Sequence, residues 1–261
     1  MGSIITRAKK LRRWRYIAQT VTLAAMLAVP VFTLRSVCAP VFFCHSCPWA
    51  TMACPIGVLI NFSTLRIVPF ITIGILGLVG TFGGRIICGW LCPFGLLQDL
   101  MYRIKTRKFR LPRQAAYAKY ALLVGLVFAV PFFWPGKPYT YCNFCPTGTL
   151  ESTIPWAFLG VNSGFGFGFY TRMAILAGTL VLVVLVSRAF CRVLCPLGAL
   201  FSVFNRFSLL RFHLAHAGCS SCGACMKWCP TGMDPVGEMN GEECIRCMEC
   251  TPTGHIKLAT K

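Results

Sequence analysis

Residues 85–95 read Arg-Ile-Ile-Cys-Gly-Trp-Leu-Cys-Pro-Phe-Gly, and residues 188–198 read Arg-Ala-Phe-Cys-Arg-Val-Leu-Cys-Pro-Leu-Gly. Each stretch closes a long apolar segment, and each contains the pattern Cys-x3-Cys-Pro. The recurrence indicates a duplicated unit with the same orientation in both halves of the chain.

The apolar segments that surround these stretches predict a membrane protein. Hydrophobic residues make up 56% of the 261 residues, which is high for a soluble domain. Four segments are long and apolar enough to cross a bilayer. We expect them at 17–34, 67–87, 119–135 and 172–190. The first has no clear cleavage site and is interpreted as a retained helix, not a signal peptide.

The formal net charge of +19 follows the predicted spans. Basic residues are concentrated before the first span and between the second and third, whereas the other two connections hold few of them. This is the positive-inside pattern, and it predicts that both termini lie in the cytoplasm beneath the inner membrane. No nucleic-acid motif accompanies the charge, so we expect anionic membrane lipid and no nucleic acid as a partner.

Cysteines form two further groups around the spans. The outer set lies in the loops predicted to face outside: Cys44, Cys47, Cys54, Cys142 and Cys145. The inner set lies after the second and fourth spans: Cys88, Cys92, Cys191 and Cys195. A cysteine just before proline lies at a helix N-terminus, where the helix dipole and free N–H groups stabilise a thiolate or an anionic cluster. Two cysteine pairs supply the four thiolates of one iron–sulfur cluster, so we predict two cross-repeat sites near opposite membrane faces.

Other interpretations of these cysteines stay open. The inner set could be inert buried thiols or transient disulfides, and the outer set could form structural disulfides in an oxidising compartment. Zinc fits any site of four cysteines. Five outer candidates for four positions leave one unassigned, and Cys38 is expected to be a small buried hydrophobic residue.

The C-terminal tail has the spacing of a ferredoxin. Its first motif is complete, with Cys219, Cys222, Cys225 and Cys229. Its second motif has Cys244, Cys247 and Cys250, but Gly254 occupies the fourth position. The fourth cysteine of each such motif ligates the cluster of the other motif. The tail therefore predicts one complete [4Fe–4S] site that uses Cys229 with the second motif, and one site that is a ligand short. The candidates to complete the second site are His213, His216 and His255, and the alternatives are an open iron or a three-iron cluster.

These motifs together resemble the polyferredoxin membrane proteins. That family includes the NapH-type quinol dehydrogenase subunit, the NosR-type protein of nitrous-oxide respiration and the CcoG-type protein of oxidase assembly. The NapH type is the most similar in length. The resemblance covers most of residues 10–258 and implies an inner-membrane electron-transfer protein, often fed by quinol. The outer cysteines and the incomplete tail motif depart from the NapH pattern.

The expected fold is an α-helical membrane protein with four transmembrane helices in two duplicated two-helix units, followed by a small α+β ferredoxin-like cytoplasmic domain. The predicted divisions are a basic N-terminus (1–16), two membrane repeats (17–111 and 112–212) and the tail (213–261).

We predict a subunit that relays electrons between tail clusters, membrane clusters and a quinone pool or an external redox partner. Quinone turnover needs a proton-handling side chain, for which His45 and Glu151 are the outer candidates. The alternative is a redox assembly or maturation factor for a respiratory enzyme. A non-redox scaffold fits seventeen cysteines poorly.

Overall fold

The computed structural model describes residues 2–28, 34–109, 111–136, 139–160, 166–214 and 223–260. Its elements are mostly helical, and the two halves of the chain repeat the same order of helices except for one short helix, over Tyr141–Phe144, that the described part of the first half lacks. In the first half the helices are α1 (Gly2–Met26), α2 (Pro55–Leu65), α3 (Phe70–Gly83), α4 (Ile86–Trp90) and α5 (Pro93–Met101). In the second half they are α6 (Gln114–Phe133), α7 (Tyr141–Phe144), α8 (146–158), α9 (Phe167–Leu185), α10 (Phe190–Leu194) and α11 (Pro196–Phe204).

Four of these helices begin in the same way, because proline follows cysteine at each start. The cysteine before the proline is extended, with ψ between 110° and 127°, and the proline occupies the first helical turn. The proline ring excludes the preceding residue from helical geometry and is itself pre-set for a helix. The repeated Cys-Pro pairs, at Cys54, Cys92, Cys145 and Cys195, thus start α2, α5, α8 and α11.

Two helices in the described part of the chain are long and apolar enough to cross a membrane, α6 and α9. They correspond to the predicted spans 119–135 and 172–190. The apolar half of α1 stops at Met26, and its first half carries basic residues, so the predicted span 17–34 is not one continuous helix. The predicted span 67–87 is also divided, because α3 covers only Phe70–Gly83. The count of four spans stays a prediction.

The starts of the short helices α2 and α8 agree with their Cys-Pro pairs, but the predicted spans include neither helix. Helix α2 leads away from Cys54 and ends at Arg66, whose left-handed backbone (φ 56°) turns the chain back into α3. Together α2 and α3 form a helical hairpin, and α8 followed by α9 occupies the equivalent place in the second repeat. Each apolar segment between an outer and an inner cysteine set therefore contains two helices. The first leads away from the outer cysteines, and the second returns to the inner cysteines.

Four strands complete the structure. In the outer region β1 (Leu34–Cys38) pairs in parallel with β2 (Met52–Ala53). In the tail β3 (Leu210–Leu214) pairs antiparallel with β4 (Ile256–Thr260), and a short helix, α12 (Ala224–Trp228), lies between them in the chain. Strand β3 crosses the predicted boundary at residue 213.

One apolar core connects the repeats and the tail. It contains cysteines of all three groups, including Cys54, Cys88, Cys195 and Cys247, packed with aromatic side chains such as Phe190. The cysteine sets therefore share one interior.

Candidate iron–sulfur sites

The outer cysteines meet around a cavity of about 140 Å³ between the repeats. Cys44 and Cys54 line it from the first repeat, and Cys142 and Cys145 line it from the second. Cys47 does not line the cavity but is buried beside it, in a small apolar cluster with Phe43 and Ala50, and its backbone N–H donates to the Cys44 carbonyl oxygen at 3.2 Å. Four of the five predicted outer residues thus line the cavity, and the fifth lies next to it.

Glycine and burial shape this cavity. A Cβ atom on Gly148 would lie 3.6 Å from the Cys44 sulfur, so the first repeat approaches closely at the glycine of Cys-Pro-x-Gly in the second. The Gly148 N–H donates to the Cys145 sulfur at 3.4 Å. Burial raises the pKa of Cys44, Cys54 and Cys142 to about 12, so these thiols stay protonated at neutral pH unless a metal binds them.

The two predicted proton-handling residues lie beside the outer cavity. His45 lines it, and burial lowers the pKa of its imidazole. Glu151 accepts a hydrogen bond from the Cys44 backbone N–H at 2.7 Å, and burial raises the pKa of its carboxyl group to about 8. Arg172, which donates to the Asn143 side chain, is the cationic residue in the cavity wall.

The inner cysteines line a second, tighter cavity. Cys88 and Cys92 come from the first repeat and Cys191 and Cys195 from the second, so all four predicted residues are brought together. The Gly198 N–H donates to the Cys195 sulfur at 3.2 Å. This cavity has a volume of only about 10 Å³. The four cysteine side chains must therefore rotate away from the centre of the cavity for a cluster to bind.

The two cavities adjoin, so the expectation of sites near opposite membrane faces is wrong. Phe42 lines both cavities, and the Tyr141 hydroxyl in the outer region donates to the Leu194 carbonyl oxygen in the inner region at 2.9 Å. The physical reason is the pair of hairpins described above. The apolar sequence between the sets folds out and back instead of crossing once.

The contacts of helix α1 give the distance between the inner and the outer cysteine sets. Gln19 donates to the Gly89 carbonyl oxygen beside the inner set, and Thr51, in the outer loop, hydrogen-bonds to the Met26 carbonyl oxygen. Seven residues separate these contacts along α1, which at a helical rise of 1.5 Å corresponds to about 10 Å. A bilayer core is about 30 Å thick, so the sets are not separated by a membrane.

Four of the described tail cysteines, Cys229, Cys244, Cys247 and Cys250, lie close to one another. Burial is the main cause of the raised pKa at Cys244, Cys247 and Cys250, and the nearby Cys229 thiol raises each of them further. Cys225 also lies close to Cys250. The predicted ligands Cys219 and Cys222, together with His216, lie outside the described residues.

Two further candidates for the incomplete tail site are described. His213 lies exposed on strand β3, opposite Lys257. The Nδ1 atom of His255 is buried and has no hydrogen-bond partner within the described ranges.

The tail is packed directly on the inner set. Gly89 abuts the backbone of Ile245 and Cys247, and the Trp90 indole N–H donates to the Arg246 carbonyl oxygen at 3.2 Å. Sequence patterns do not indicate this contact, although a glycine between two cysteines is consistent with close approach of a second backbone.

None of the fifteen described cysteines forms a disulfide bond. In the same part of the chain, no group of three or more His, Cys, Asp or Glu side chains surrounds a single metal-ion position. A cubane differs from a single ion, because each of its four cysteines binds a different iron atom at a corner of the cluster. The lining of the two cavities is therefore the relevant observation for a cluster.

The charges around the inner and tail cysteines fit an anionic group. Six cationic side chains are buried there: Arg15, Arg85, Lys119, Arg188, Arg192 and Arg246. Three carboxylates pair with members of this group, namely Asp99, Glu243 and Glu249. The Nε atoms of Arg15, Arg85 and Arg246 are buried without a hydrogen-bond partner among the described residues. Uncompensated buried charge is costly, and thiolate-bound iron–sulfur clusters would supply the missing negative charge.

Comparison with known proteins identifies the family. A family model described as a 4Fe-4S binding domain matches residues 65–112, 119–160 and 169–214, which is more than half of the chain. An uncharacterized protein of Methanocaldococcus jannaschii is 30% identical over 71% of this chain and 68% of its own length. No solved structure matches.

Two of the named relatives are protein NirI and the regulatory protein NosR. Protein NirI of Paracoccus denitrificans is 33% identical over 65% of this chain, and the regulatory protein NosR of Pseudomonas aeruginosa is 28% identical over 66% of it. The chain spans about a quarter of the length of each, 25% and 24% respectively. These matches confirm the resemblance to NosR-type polyferredoxins and identify an iron–sulfur redox protein of the electron-transfer type. The chain belongs to the family of proteins with this 4Fe-4S binding domain.

Proposed function

We propose that the chain is a membrane iron–sulfur electron-transfer subunit whose clusters form one relay from the tail through the inner set to the outer set. The observation that carries this proposal is the pair of adjoining cavities, each lined by two cysteines from each repeat. Inert thiols would not require such matched placement, and the cysteines of each cavity provide the four ligands of a cluster.

Three complete ligand sets follow from this proposal. The outer cluster would use Cys44, Cys54, Cys142 and Cys145, which leaves Cys47 out. The inner cluster would use Cys88, Cys92, Cys191 and Cys195. The tail cluster would use Cys229, Cys244, Cys247 and Cys250, and Cys219, Cys222 and Cys225 would hold a second tail cluster that lacks one thiolate.

The order of contacts along α1 supports a relay. Arg12 binds the Glu249 carboxylate beside the tail cysteines, Gln19 contacts the inner loop and Met26 contacts the outer loop. The three levels thus follow one another within two-thirds of a single helix. Because electron transfer slows steeply with distance, closely stacked sites in one core are the arrangement that a relay needs.

We propose that the repeats lie in the inner membrane with both termini cytoplasmic. The apolar surface at the hairpin tips supports this. Phe70 is 79% exposed, Phe158 is 87% exposed and Phe167 is 89% exposed, and an apolar surface of this kind is favourable in contact with lipid. The basic residues at the opposite end of the repeats agree with a cytoplasmic tail.

A quinone is the external partner that we propose for the groove between α2, α3, α6 and α11. The groove has a volume of about 390 Å³, and Arg66 is the charged residue in its otherwise largely apolar lining. Leu59 and Leu76 at its floor belong to the same core as Cys54. An apolar ring and tail fit this lining, and an arginine can donate to a quinone carbonyl group.

A matched pair of glycines tests the groove. Gly77 lines it and Gly74 does not, and a Cβ atom on either residue would meet no atom within 4 Å. We expect Gly77→Phe to abolish quinol-driven reduction of the clusters and Gly74→Phe to preserve it. Equal reduction in both variants would exclude this groove, and no reduction by quinol even in the unmodified protein would favour the assembly-factor alternative.

Iron and sulfide analysis of the purified protein, combined with EPR spectroscopy, tests the relay itself. Cys88→Ser and Cys142→Ser should each remove the signal and the iron of one cluster. Cys47→Ser is the matched control, because Cys47 is a buried cysteine of the outer set that does not line the cavity. Full iron content in Cys88→Ser and Cys142→Ser would contradict the two membrane sites.

A further inference from the structure

Two arginines at equivalent positions exchange contacts between the repeats. Arg85 precedes Cys88 by three residues, and Arg188 precedes Cys191 by three residues. The Arg85 Nη2 group donates to the Cys191 carbonyl oxygen at 3.0 Å, and the Arg188 Nη1 group donates to the Cys88 carbonyl oxygen at 3.0 Å. Each arginine thus holds the cysteine loop of the other repeat. Their side chains are fully buried, with exposures of 0% and 1%.

The glycines of the Cys-Pro-x-Gly motifs make room for these side chains. A Cβ atom on Gly198 would lie 3.3 Å from the Arg85 Nη2 atom, and a Cβ atom on Gly95 would lie 3.4 Å from the Arg188 Nη1 atom. The first distance is tighter than about nine in ten real Cβ contacts, and the second is at the short limit of ordinary van der Waals contact. The motif glycine therefore admits a guanidinium group next to the cysteines of the inner set.

The far ends of the two arginines are anchored differently. Arg188 forms a two-pronged ion pair with Asp99, at 2.8 Å and 2.6 Å. Arg85 donates to the Glu242 carbonyl oxygen, and its paired carboxylate, Glu243, is 3.8 Å away. Glu243 is also shared with Lys119 and Arg192. The charge of Arg85 is therefore less compensated than the charge of Arg188.

We propose that Arg85 and Arg188 are the positioning residues that set the reduction potential of the inner cluster. This inference rests on the proposed function, because it requires a cluster at the inner set. Reduction adds one electron to the cluster iron and breaks no bond to cysteine. The added negative charge is stabilised by a nearby buried cation, so both arginines raise the potential, and Arg85 raises it more.

Redox titration of the purified full-length protein, followed by EPR, provides the test. The inner couple is identified as the signal that the Cys191→Ser variant loses. We expect Arg85→Gln to lower the equilibrium constant for reduction of that couple at least tenfold, which for one electron is a fall in the reduction potential of about 59 mV. Arg188→Gln should lower the same couple by less. Arg103→Gln is the matched control, since Arg103 is exposed, stacks on Tyr16 and lines neither cysteine cavity nor the quinone groove.

The outcomes separate the two proposals. Absence of iron in the unmodified protein would refute the cluster sites themselves. A loaded protein in which Arg85→Gln shifts the inner couple no more than Arg103→Gln does would refute the role of the arginines alone. If Arg85→Gln does not retain iron, Arg85→Lys decides the question. Restored iron with the original potential supports the charge effect, and continued loss of iron overturns it.

Discussion

Replacing Gly89 with alanine measures how firmly the tail is packed on the inner cysteines. A Cβ atom at this position would overlap the carbonyl oxygen of Ile245 and lie 3.6 Å from the Cα atom of Cys247. Both neighbours are backbone atoms, so no side-chain rotation can relieve the overlap. Residues 88–92 and 244–247 must move apart, and the core that contains Cys88 and Cys247 must open with them.

The magnitude follows from this overlap. Overpacking a tight interior by one carbon costs about 1–3 kcal/mol. In a chain of this size, a loss of 1 kcal/mol lowers the unfolding midpoint by about 2–4 °C. A central value of about 2 kcal/mol therefore predicts a midpoint about 4–8 °C lower for Gly89→Ala. Near-UV circular dichroism of the detergent-solubilised protein during heating measures this midpoint.

Gly74→Ala is the control for this experiment. Gly74 lies inside α3, and a Cβ atom there would meet no atom within 4 Å. Alanine is favoured over glycine in a helix interior by about 1 kcal/mol, so the control should unfold at the original temperature or slightly above it. If Gly89→Ala and Gly74→Ala unfold at the same temperature, the close backbone contact between the tail and the inner loop is refuted.

Three further predictions concern single residues and topology. Burial by itself raises the pKa of Asp99, but Arg188 and Arg15 outweigh it and hold the pKa below its usual value. The ion pairs of Asp99 therefore stabilise the fold fully above the unfolded pKa of about 3.9 and are lost as the pH falls through the folded value. Asp99→Asn should lower stability at neutral pH by about 3–5 kcal/mol and flatten its acid dependence in denaturant titrations. Gly254→Cys supplies an eighth tail cysteine at a position with open space. The backbone φ of 82° at residue 254 costs a cysteine about 1–2 kcal/mol. The EPR signal of the second tail cluster should survive in air in Gly254→Cys but not in the control Gly254→Ala. A reporter that functions only in the cytoplasm should be active when it is fused after residue 261. A reporter that functions only outside the membrane should be inactive at the same position, and its activity would reverse the proposed orientation.

The local features were predictable because they depend on neighbouring residues. Proline after cysteine favours an extended cysteine at a helix start, and the structure has this geometry at four of the six Cys-Pro pairs, such as Cys92 and Cys195. The other two pairs, Cys47-Pro48 and Cys229-Pro230, start no helix in the described part of the chain. The duplication, and the meeting of Cys88 with Cys191, follow from matched sequence in the two halves. The tail proximity of Cys229 to Cys244 follows from the crossover rule.

The hairpins and the distance between the sites were not predictable in this way. A run of apolar residues does not reveal whether the chain crosses a membrane once or turns back. The turn is made by the left-handed backbone of Arg66, and the sequence does not distinguish this arginine from others. Hydropathy also does not indicate that Gln98 donates to the Cys191 sulfur at 2.9 Å. The choice of Cys47 as the excluded outer cysteine depends on packing with Phe43, which spacing does not encode.

The exchanged contacts of Arg85 and Arg188 have a consequence for the origin of the chain. Arg85 of the first half binds the Cys191 carbonyl group of the second half, and its counterpart Arg188 binds the carbonyl group of the equivalent cysteine, Cys88, in the first half. This is the defining property of an isologous interface between two identical subunits. A single ancestral repeat could therefore have made the same contacts with a second copy of itself, and joining the two copies in one gene would preserve them. Separately expressed halves of the present chain, divided within residues 103–112, should for the same reason recombine with each other.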